Sequence, residues 1–300
     1  MSAARRHPAV RGRLLVDEPL AAHTSWKVGG PADRYFEPAD REDLLAFIAG
    51  LPAREPVTWL GLGSNLLVRD GGVRGTVICL HGALDGLAAA GDHEIYAEAG
   101  VHCARLAKYS QNQKRAGLGF MAGIPGTVGG ALAMNAGAWG GETWPQVIAV
   151  EVVYRDGRAE WLSPGDFQTG YRHVEAPSGV LGFLGARFRV GADEQGEHER
   201  VTREWLARRK ATQPVGKPSA GSTFRNPPGD HAARLIESCG LKGRRIGGAE
   251  VSTLHANFIV TENGARAADV EQLIQTVRDV VRDKTGIDLQ PEVRIIGVAA

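Results

Sequence analysis

The sequence predicts a protein of mixed helices and strands in two parts, with a boundary near residue 191. Before the boundary, short apolar runs alternate with glycine turns, a pattern typical of strands. After it, apolar residues recur at helical spacing. The stretch between them, "GADEQGEHERV", is polar and interrupted by glycine, as a linker would be. With 43% hydrophobic and 23% charged residues among 300, the composition is that of a globular protein with one large core or several smaller ones.

The first part begins with "SWKVGGPADRYFEP" (25–38), which predicts a strand, a turn and a second strand. A helix follows, with Asp40 as its N-cap. Several short strands come next, and "VHCARLAKYSQNQKRAG" then predicts a helix that ends at Gly117. The stretch "QVIAVEVVYRDGRAEWLS" predicts a hairpin that turns at Asp156 and Gly157, and "GVLGFLGARFRV" predicts a further strand.

The second part is predicted to contain three helices, over about 199–211, 230–239 and 267–285. The last of these is amphipathic, with one apolar face formed by Val270, Leu273, Ile274, Val277 and Val281. The tail "PEVRIIGV" returns to the pattern of a strand.

The charges of the chain nearly cancel, with 35 basic and 34 acidic residues. Such a balance excludes a global field that attracts nucleic acid or an anionic membrane. Three widely spaced cysteines, Cys79, Cys103 and Cys239, predict buried free thiols in a reducing compartment and argue against a zinc site. No apolar segment long enough for a signal peptide or a membrane span occurs. We therefore predict a cytoplasmic protein.

Two glycine-rich loops are candidates for phosphate binding: "GLGSNLL" (61–67) and "GIPGTVGG" (123–130). The first departs from the Rossmann fingerprint because Leu66 occupies the third glycine position, and neither loop is a P-loop. Backbone amides with Ser64 and Asn65 in one loop, and with Thr127 in the other, could form anion-binding nests. Turn formation alone is the alternative for each loop, but the pair together suits a ligand with two phosphates.

A third cluster, "GKPSAGSTFRNP" (216–227), offers a hydroxyl and a cation to a bound anion. The alternative is a structural loop that turns at Asn226 and Pro227. Ser222 lies in no G-x-S-x-G elbow and has no triad partners nearby, which argues against a hydrolase nucleophile. A role as a proton donor stays open.

Six motifs, taken in order, resemble those of the UDP-N-acetylenolpyruvoylglucosamine reductase (MurB) family of flavoenzymes, over about residues 24–297. They are "GLGSNLLVRDGGVRG", "MAGIPGTVGGALAMNAGAWGGE", "GYR", "PSAGSTFRNP", "VSTLHANFIV" and "LQPEVRIIG". The resemblance implies an α+β fold: a PCMH-type (vanillyl-alcohol-oxidase-type) FAD-binding domain over 14–194, with lobes of about 14–82 and 83–194. A smaller α+β substrate-binding domain over 195–300 follows, without a long insertion, as in the shorter subtype of the family.

The family resemblance also implies an activity. It is the reduction of UDP-N-acetylglucosamine enolpyruvate to UDP-N-acetylmuramate in peptidoglycan precursor synthesis, with non-covalent FAD as cofactor and NADPH as co-substrate. The implied partner is a nucleotide sugar; neither nucleic acid nor a membrane is expected to bind, no metal is needed, and the protein is expected to be a monomer.

Three residues match the family's catalytic positions: Arg172, Ser222 and Glu292. Hydride addition at C3 of an enolpyruvyl ether drives electron density into its carboxylate, which Arg172 and a protonated Glu292 are expected to stabilise. Ser222 is expected to donate the proton to C2. The residues matched to substrate binding are Tyr171, Lys217, Asn226 and Arg294. The residues matched to FAD binding are Gly61, Gly63, Ser64, Asn65, Leu66, Gly123, Ile124, Pro125, Gly126, Thr127, Gly129, Gly130, Asn135 and Gly137.

The chain departs from the family at Val174, where relatives commonly carry a serine close to the Tyr-Arg pair. His255 in "LHANF" is expected to be a hydrogen-bonded structural residue instead of an acid or base. Two alternative functions stay open: another FAD-dependent oxidoreductase of the same fold, and a non-catalytic nucleotide-sugar or flavin-binding protein.

Overall fold

The computed structural model describes residues 10–300, which form an α+β protein. The strands are β1 (Arg13–Pro19), β2 (Pro31–Glu37), β3 (Val57–Leu60), β4 (Leu66–Val68), β5 (Val73–Cys79), β6 (Leu87–Ala89), β7 (Glu94–Glu98), β8 (Arg115–Ala116), β9 (Gly137–Ala138), β10 (Gly141–Glu142), β11 (Val147–Tyr154), β12 (Ala159–Leu162), β13 (Gln168–Gly170), β14 (His173–Glu175), β15 (Val180–Arg189), β16 (Gly191–Ala192), β17 (Arg245–Ile246), β18 (Ala249–Val251), β19 (Ile259–Thr261) and β20 (Arg294–Ile296). The α-helices are α1 (Arg41–Gly50), α2 (Cys103–Asn112), α3 (Val128–Met134), α4 (Glu197–Thr212), α5 (Ala232–Ser238) and α6 (Ala267–Thr285).

The chain divides into two compact units, each built from several separate segments of the sequence. The first contains residues up to Val16, Arg34–Gly61 and Gly75–Leu206. The second contains Asp17–Asp33, Leu62–Arg74 and Ala207–Ala300. Two early segments of the chain thus belong to the same unit as its C-terminal third. The predicted domain limits, which follow sequence order, stay a prediction.

The first unit contains a five-stranded antiparallel sheet in the order β12-β11-β15-β7-β6. Strand β11 is buried over Val150–Val153, and β7 alternates buried and half-buried residues. Helices α2 and α3 pack against one face of the sheet in a hydrophobic cluster. A second cluster forms where α1 covers β3 and β5, which pair in parallel. Asp40 caps α1 by accepting a hydrogen bond from the Asp43 backbone at 2.9 Å, which confirms the predicted N-cap.

The second unit is built around α6, whose predicted apolar face is confirmed as buried. This helix packs with the three-stranded sheet β17-β18-β19 and with α5 in one core. Strand β20 pairs in parallel with β4, so that the segment Leu62–Arg74 joins the same unit. The carboxylate of Asp70 accepts hydrogen bonds at 2.9 Å from the first two backbone amides of α6, which fastens the segment to the helix.

Trp26 fixes the other early segment of the second unit. Its indole is 1% exposed and donates a 2.7 Å hydrogen bond to the carbonyl of Ile259. Thr261 donates back to the Trp26 carbonyl at 2.6 Å. The backbone at 25–30 therefore forms turns around a buried tryptophan, and the predicted strand there is wrong. Local apolar pattern could not distinguish a strand from a loop held by one large side chain.

We expect Trp26→Phe to lower the free energy of unfolding by about 2 kcal/mol, because the buried carbonyl of Ile259 loses its donor and the core loses volume. Urea unfolding measures the change. The matched control is Trp161→Phe, at a side chain that is 40% exposed, where we expect a change within about 0.5 kcal/mol. Equal effects at the two positions would contradict the account of Trp26.

Several other predicted elements are present with shifted ends. The hairpin at Asp156 and Gly157 and the strand β15 are confirmed. Helix α2 ends at Asn112 instead of Gly117, because Lys114 adopts a left-handed conformation and the chain enters β8. Helix α4 begins inside the stretch predicted as a linker. All three cysteines are buried free thiols, and burial raises the pKa of Cys103 to about 12. Within residues 10–300 no helix is long and apolar enough to cross a membrane.

Candidate active site

The first unit brings together the start of one glycine loop and the middle of the other. A Cβ placed on Gly61 would lie 2.5 Å from Oγ1 of Thr127, so only glycine permits this approach. Thr127 is the N-cap of α3, and its hydroxyl accepts a long 3.4 Å hydrogen bond from the Gly130 backbone. Gly61, the first residue of one candidate phosphate-binding loop, therefore lies beside Thr127 of the other at the N-terminus of α3.

The "GIPGTVGG" loop uses part of its bare backbone for packing. The amides of Val128 and Gly129 each donate at 2.8 Å to the carbonyls of Val101 and Ala99. A Cβ on Gly129 would lie 3.0 Å from the Ala99 side chain. The structural alternative, in which the glycines serve the local fold and not a ligand, thus accounts for part of this loop. The loop can still place an anion at the positive end of the α3 dipole, close to Gly130.

The remainder of "GLGSNLL" lies in the second unit. Gly63 has φ of +59°, and a Cβ there would lie 2.2 Å from the His23 carbonyl. Asn65 accepts a 3.0 Å hydrogen bond from the Arg294 amide, and its Nδ2 donates to the Glu292 carbonyl at 3.2 Å. Leu66 opens β4 in register with Arg294. Within this unit, the loop therefore supports the strand that carries Glu292 and Arg294.

Arg172 lies in the tight turn between β13 and β14, which pair through Gly170 and His173. Its φ of +53° is in the left-handed region, a strained conformation for an arginine and one of a kind that clusters at functional sites. The guanidinium donates to the carbonyl of Asn135 at 3.2 Å and to that of Gly137 at 2.9 Å. These bonds hold the cation in one orientation.

Tyr171, the other residue of this turn, is 49% exposed, and the Arg172 guanidinium carbon lies 5.0 Å from its ring centroid. Beside the turn is an open cavity of about 320 Å³ lined by residues that include Tyr171, Asn135 and Glu142. The structure thus brings four predicted site residues of the first unit together: Tyr171, Arg172, Asn135 and Gly137.

Ser222 lies in a loop of the second unit that pairs with the segment before β20. The Thr223 carbonyl accepts a 2.8 Å hydrogen bond from the Glu292 amide, and Phe224 forms a bridge with Pro291. Strand-like pairing therefore places Ser222 and Glu292 on neighbouring backbone segments. Ser222 is half-buried.

The two remaining predicted substrate residues, Lys217 and Asn226, lie on either side of Ser222 in the chain. The Asn226 side chain is exposed, and its Oδ1 accepts a 3.1 Å hydrogen bond from the Ala232 backbone at the start of α5. This is the turn-and-cap role of a structural asparagine. Lys217 is an exposed loop residue.

Asn257 is a site-forming residue that the sequence analysis did not single out. It is 3% exposed; its Oδ1 accepts from the Phe224 amide at 2.9 Å, while its Nδ2 donates to the Phe224 carbonyl at 2.8 Å. Its own carbonyl accepts from the Thr223 amide at 2.8 Å. Asn257 therefore fixes the loop on the C-terminal side of Ser222. The only available signal was an asparagine directly before an apolar run in "HANFIV".

His255 has the structural role that the sequence indicated. Its Nδ1 accepts a 3.3 Å hydrogen bond from the Asn257 amide, and its ring contacts Phe258 edge-on at 4.8 Å between centroids. Burial, with a smaller contribution from the positive charge of Lys242, lowers the pKa of His255 from its ordinary value of 6.5. The folded state therefore favours the neutral form of the His255 ring over the protonated form.

This pKa shift predicts a pH dependence of stability. A lowered pKa means that the unfolded chain binds more protons, so the contribution of neutral His255 is present above about pH 6.5 and is lost as the pH falls through the folded-state pKa. We expect His255→Gln to reduce the loss of unfolding free energy between neutral pH and pH 5, measured by urea titrations. An unchanged slope would contradict this role.

The residues present fit a bound FAD. Gly61 and Thr127, one from each glycine loop, lie together at the start of α3. A Cβ at position 61 would clash with Oγ1 of Thr127. The positive end of α3, where the Gly130 amide makes only a long 3.4 Å hydrogen bond, suits a pyrophosphate. Individual cofactor contacts of Ser64, Gly123, Ile124, Pro125 and Gly126 stay predictions.

Comparison with known proteins agrees with this geometry. Residues 32–163 match the family described as FAD binding domain, and residues 213–296 match the C-terminal domain of UDP-N-acetylenolpyruvoylglucosamine reductase. The chain is 54% identical to the UDP-N-acetylenolpyruvoylglucosamine reductase of Methylococcus capsulatus over 99% of its own length and 98% of that protein. It is also 54% identical to the enzyme of Alkalilimnicola ehrlichii, with 96% of each chain covered.

A solved structure supports the same assignment. The crystal structure of the reductase MurB from Thermus caldophilus superposes with a TM-score of 0.81 at 34% identity, covering 96% of this chain and 99% of that one. This similarity and the FAD binding domain match confirm the predicted fold class. The chain is a member of the UDP-N-acetylenolpyruvoylglucosamine reductase (MurB) family.

Proposed function

We propose that this protein reduces UDP-N-acetyl-3-O-(1-carboxyvinyl)-glucosamine to UDP-N-acetylmuramate in peptidoglycan precursor synthesis, with FAD as cofactor and NADPH as co-substrate. The observation that carries the proposal is Arg172, whose guanidinium is fixed by two carbonyls in a strained turn. A cation held in one orientation is what a developing carboxylate charge requires.

The reaction adds a hydride to C3 and a proton to C2 of the enolpyruvyl double bond. FAD, when bound, supplies the hydride that it receives from NADPH. As C3 accepts the electron pair, negative charge moves into the substrate carboxylate, and Arg172 stabilises it there. Because the guanidinium is already oriented by Asn135 and Gly137, little reorganisation is needed at the moment of reaction.

Ser222 and Glu292 complete the proposed chemistry. Ser222 donates the proton that C2 needs; a serine hydroxyl suffices because the acceptor is a strong carbanionic base. Glu292 is proposed to help stabilise the developing charge. The backbone of Thr223, the residue after Ser222, pairs with Glu292, and this supports a common role for Ser222 and Glu292.

The remaining assignments concern the nucleotide sugar and the state of the protein. Tyr171, Lys217, Asn226 and Arg294 are proposed to contact the substrate. The two exposed cations among them, Lys217 and Arg294, suit its phosphates. We further propose that the protein acts in the cytoplasm as a monomer, which size-exclusion chromatography with light scattering tests.

The function is tested with purified protein in two steps. A visible spectrum is expected to show bound flavin, before or after reconstitution with FAD. NADPH oxidation is then expected to depend on the enolpyruvyl sugar, whereas UDP-N-acetylglucosamine, which lacks the double bond, is the control that supports none. Absence of flavin after reconstitution, or NADPH oxidation indifferent to the sugar, would overturn the proposal.

A further inference from the structure

Asn135 is the most fully hydrogen-bonded side chain near Arg172. It ends α3 in a left-handed conformation with φ of +47° and is 2% exposed. Its Nδ2 donates at 3.0 Å both to the Glu142 carboxylate and to the Gly170 carbonyl, and its Oδ1 accepts from the Trp144 amide at 3.0 Å. These partners fix the orientation of the amide, because a flipped group would oppose donor to donor and acceptor to acceptor.

Asn135 contacts the Arg172 turn at two points. Its side chain binds the carbonyl of Gly170, the last residue of β13, and its own carbonyl accepts from the Arg172 guanidinium at 3.2 Å. One buried residue therefore holds both the backbone that leads into the strained turn and the cation that the turn presents. Both N–H donors of the Asn135 side chain are used within the protein, and its Oδ1 already accepts from the Trp144 amide.

Glu142 and Gly137 complete the support. The Glu142 carboxylate accepts from Asn135, and β10, which carries it, pairs with β9 at Gly137. A Cβ on Gly137 would lie 2.3 Å from the Gly141 carbonyl and 3.1 Å from Nη1 of Arg172. Any other residue at 137 would displace either the hairpin or the guanidinium.

We propose that Asn135, anchored by Glu142, is a positioning residue for Arg172 and that its main effect is on substrate reduction and not on FAD binding. The inference rests on the proposed function of Arg172. It changes the role predicted for Asn135 from cofactor contact to orientation of the cation, since each polar atom of the side chain already has a protein partner.

The test uses the FAD-loaded enzyme and separates the two half-reactions by anaerobic stopped flow. In Asn135→Asp, two donors become acceptors that face a carboxylate and a carbonyl, so the turn should shift. We expect flavin content and flavin reduction by NADPH to stay near wild type, while reoxidation by the enolpyruvyl sugar slows about 10²-fold, as for a misplaced catalytic group. Glu142→Gln keeps an oxygen acceptor for Asn135, so we expect it to slow reoxidation less than Asn135→Asp does.

A double-mutant cycle distinguishes positioning from a general structural effect. With Arg172→Ala as background, Asn135→Asp should add little further loss in reoxidation, because the group it positions is gone. The matched control is Thr143→Val, which removes a buried 2.7 Å hydrogen bond to the Ala136 carbonyl in the same hairpin region. It should lower stability without separating the half-reactions.

Two outcomes would overturn the inference: additive losses in the double variant, or loss of bound FAD with equal slowing of both half-reactions. If Asn135→Asp does not fold, Asn135→Ser, which is small and keeps one hydroxyl, replaces it in the same cycle. Failure of the proposed function is recognised separately, because the reduced flavin of the wild-type enzyme would then not be reoxidised by the enolpyruvyl sugar. Reoxidation that stays intact in Arg172→Ala would instead contradict the role of Arg172.

Discussion

Replacing Ser222 with alanine is expected to leave flavin reduction by NADPH near normal and to slow reduction of the enolpyruvyl sugar by about 10³-fold. The reason is that the half-reaction with NADPH transfers no proton from Ser222, whereas reduction of the sugar needs a proton at its C2. The loop should keep its shape, because Asn257 and the pairing with Glu292 hold the Thr223 and Phe224 backbone independently of the Ser222 hydroxyl. Stopped-flow absorbance measures the two rates.

Ser219→Ala is the matched control for this prediction. Ser219 lies in the same loop and forms a backbone bridge with Val260 that alanine preserves. We expect its rates to match wild type within about threefold. If Ser222→Ala retains both half-reactions, the proton comes from another source, and the proposed role of Ser222 is wrong.

Arg172→Ala is expected to reduce kcat for the sugar by about 10²-fold or more, equivalent to roughly 3 kcal/mol, because a preorganised charge stabiliser is removed. Arg172→Lys should recover little of this loss, since an ammonium lacks the planar fork that binds the carbonyls of Asn135 and Gly137 together. Steady-state kinetics with varied sugar concentration separates kcat from KM.

Arg187→Ala serves as the control for Arg172. This exposed arginine of β15 lies over the Trp161 ring at 5.0 Å, the same type of contact that Arg172 makes with Tyr171. Its removal should leave kcat unchanged within about threefold. A raised KM with unchanged kcat in Arg172→Ala would reduce the arginine to a residue for simple substrate binding.

The sequence predicted those elements whose pattern is local. The face of α6, the cap of α1 and the hairpin at Asp156 each depend on residues within a few positions of one another. It did not predict that Asp17–Asp33 and Leu62–Arg74 belong with the C-terminal third. That arrangement depends on long-range contacts, such as Trp26 with Ile259 and Asp70 with α6. No local sequence pattern indicates such contacts.

The candidate site shows the same limit. Motif order identified Arg172, Ser222 and Glu292. The structure fixes Arg172 and pairs the backbone of Glu292 with Thr223, the neighbour of Ser222. The residues that hold them, Asn257 and Glu142, carry no chemistry of their own in the sequence. The importance of Asn257 follows from its burial and its hydrogen bonds to Phe224, and that of Glu142 from its bond to Asn135, which only the folded chain reveals.

The most direct test of the proposed reaction is the absorbance of NADPH-reduced enzyme mixed anaerobically with UDP-N-acetylglucosamine enolpyruvate. We expect the absorbance of oxidised flavin to return in a single turnover, with one equivalent of UDP-N-acetylmuramate formed, in wild type but not in Ser222→Ala. Reduced flavin that persists in wild type after the sugar is added, and reoxidises only when oxygen is admitted, would contradict it.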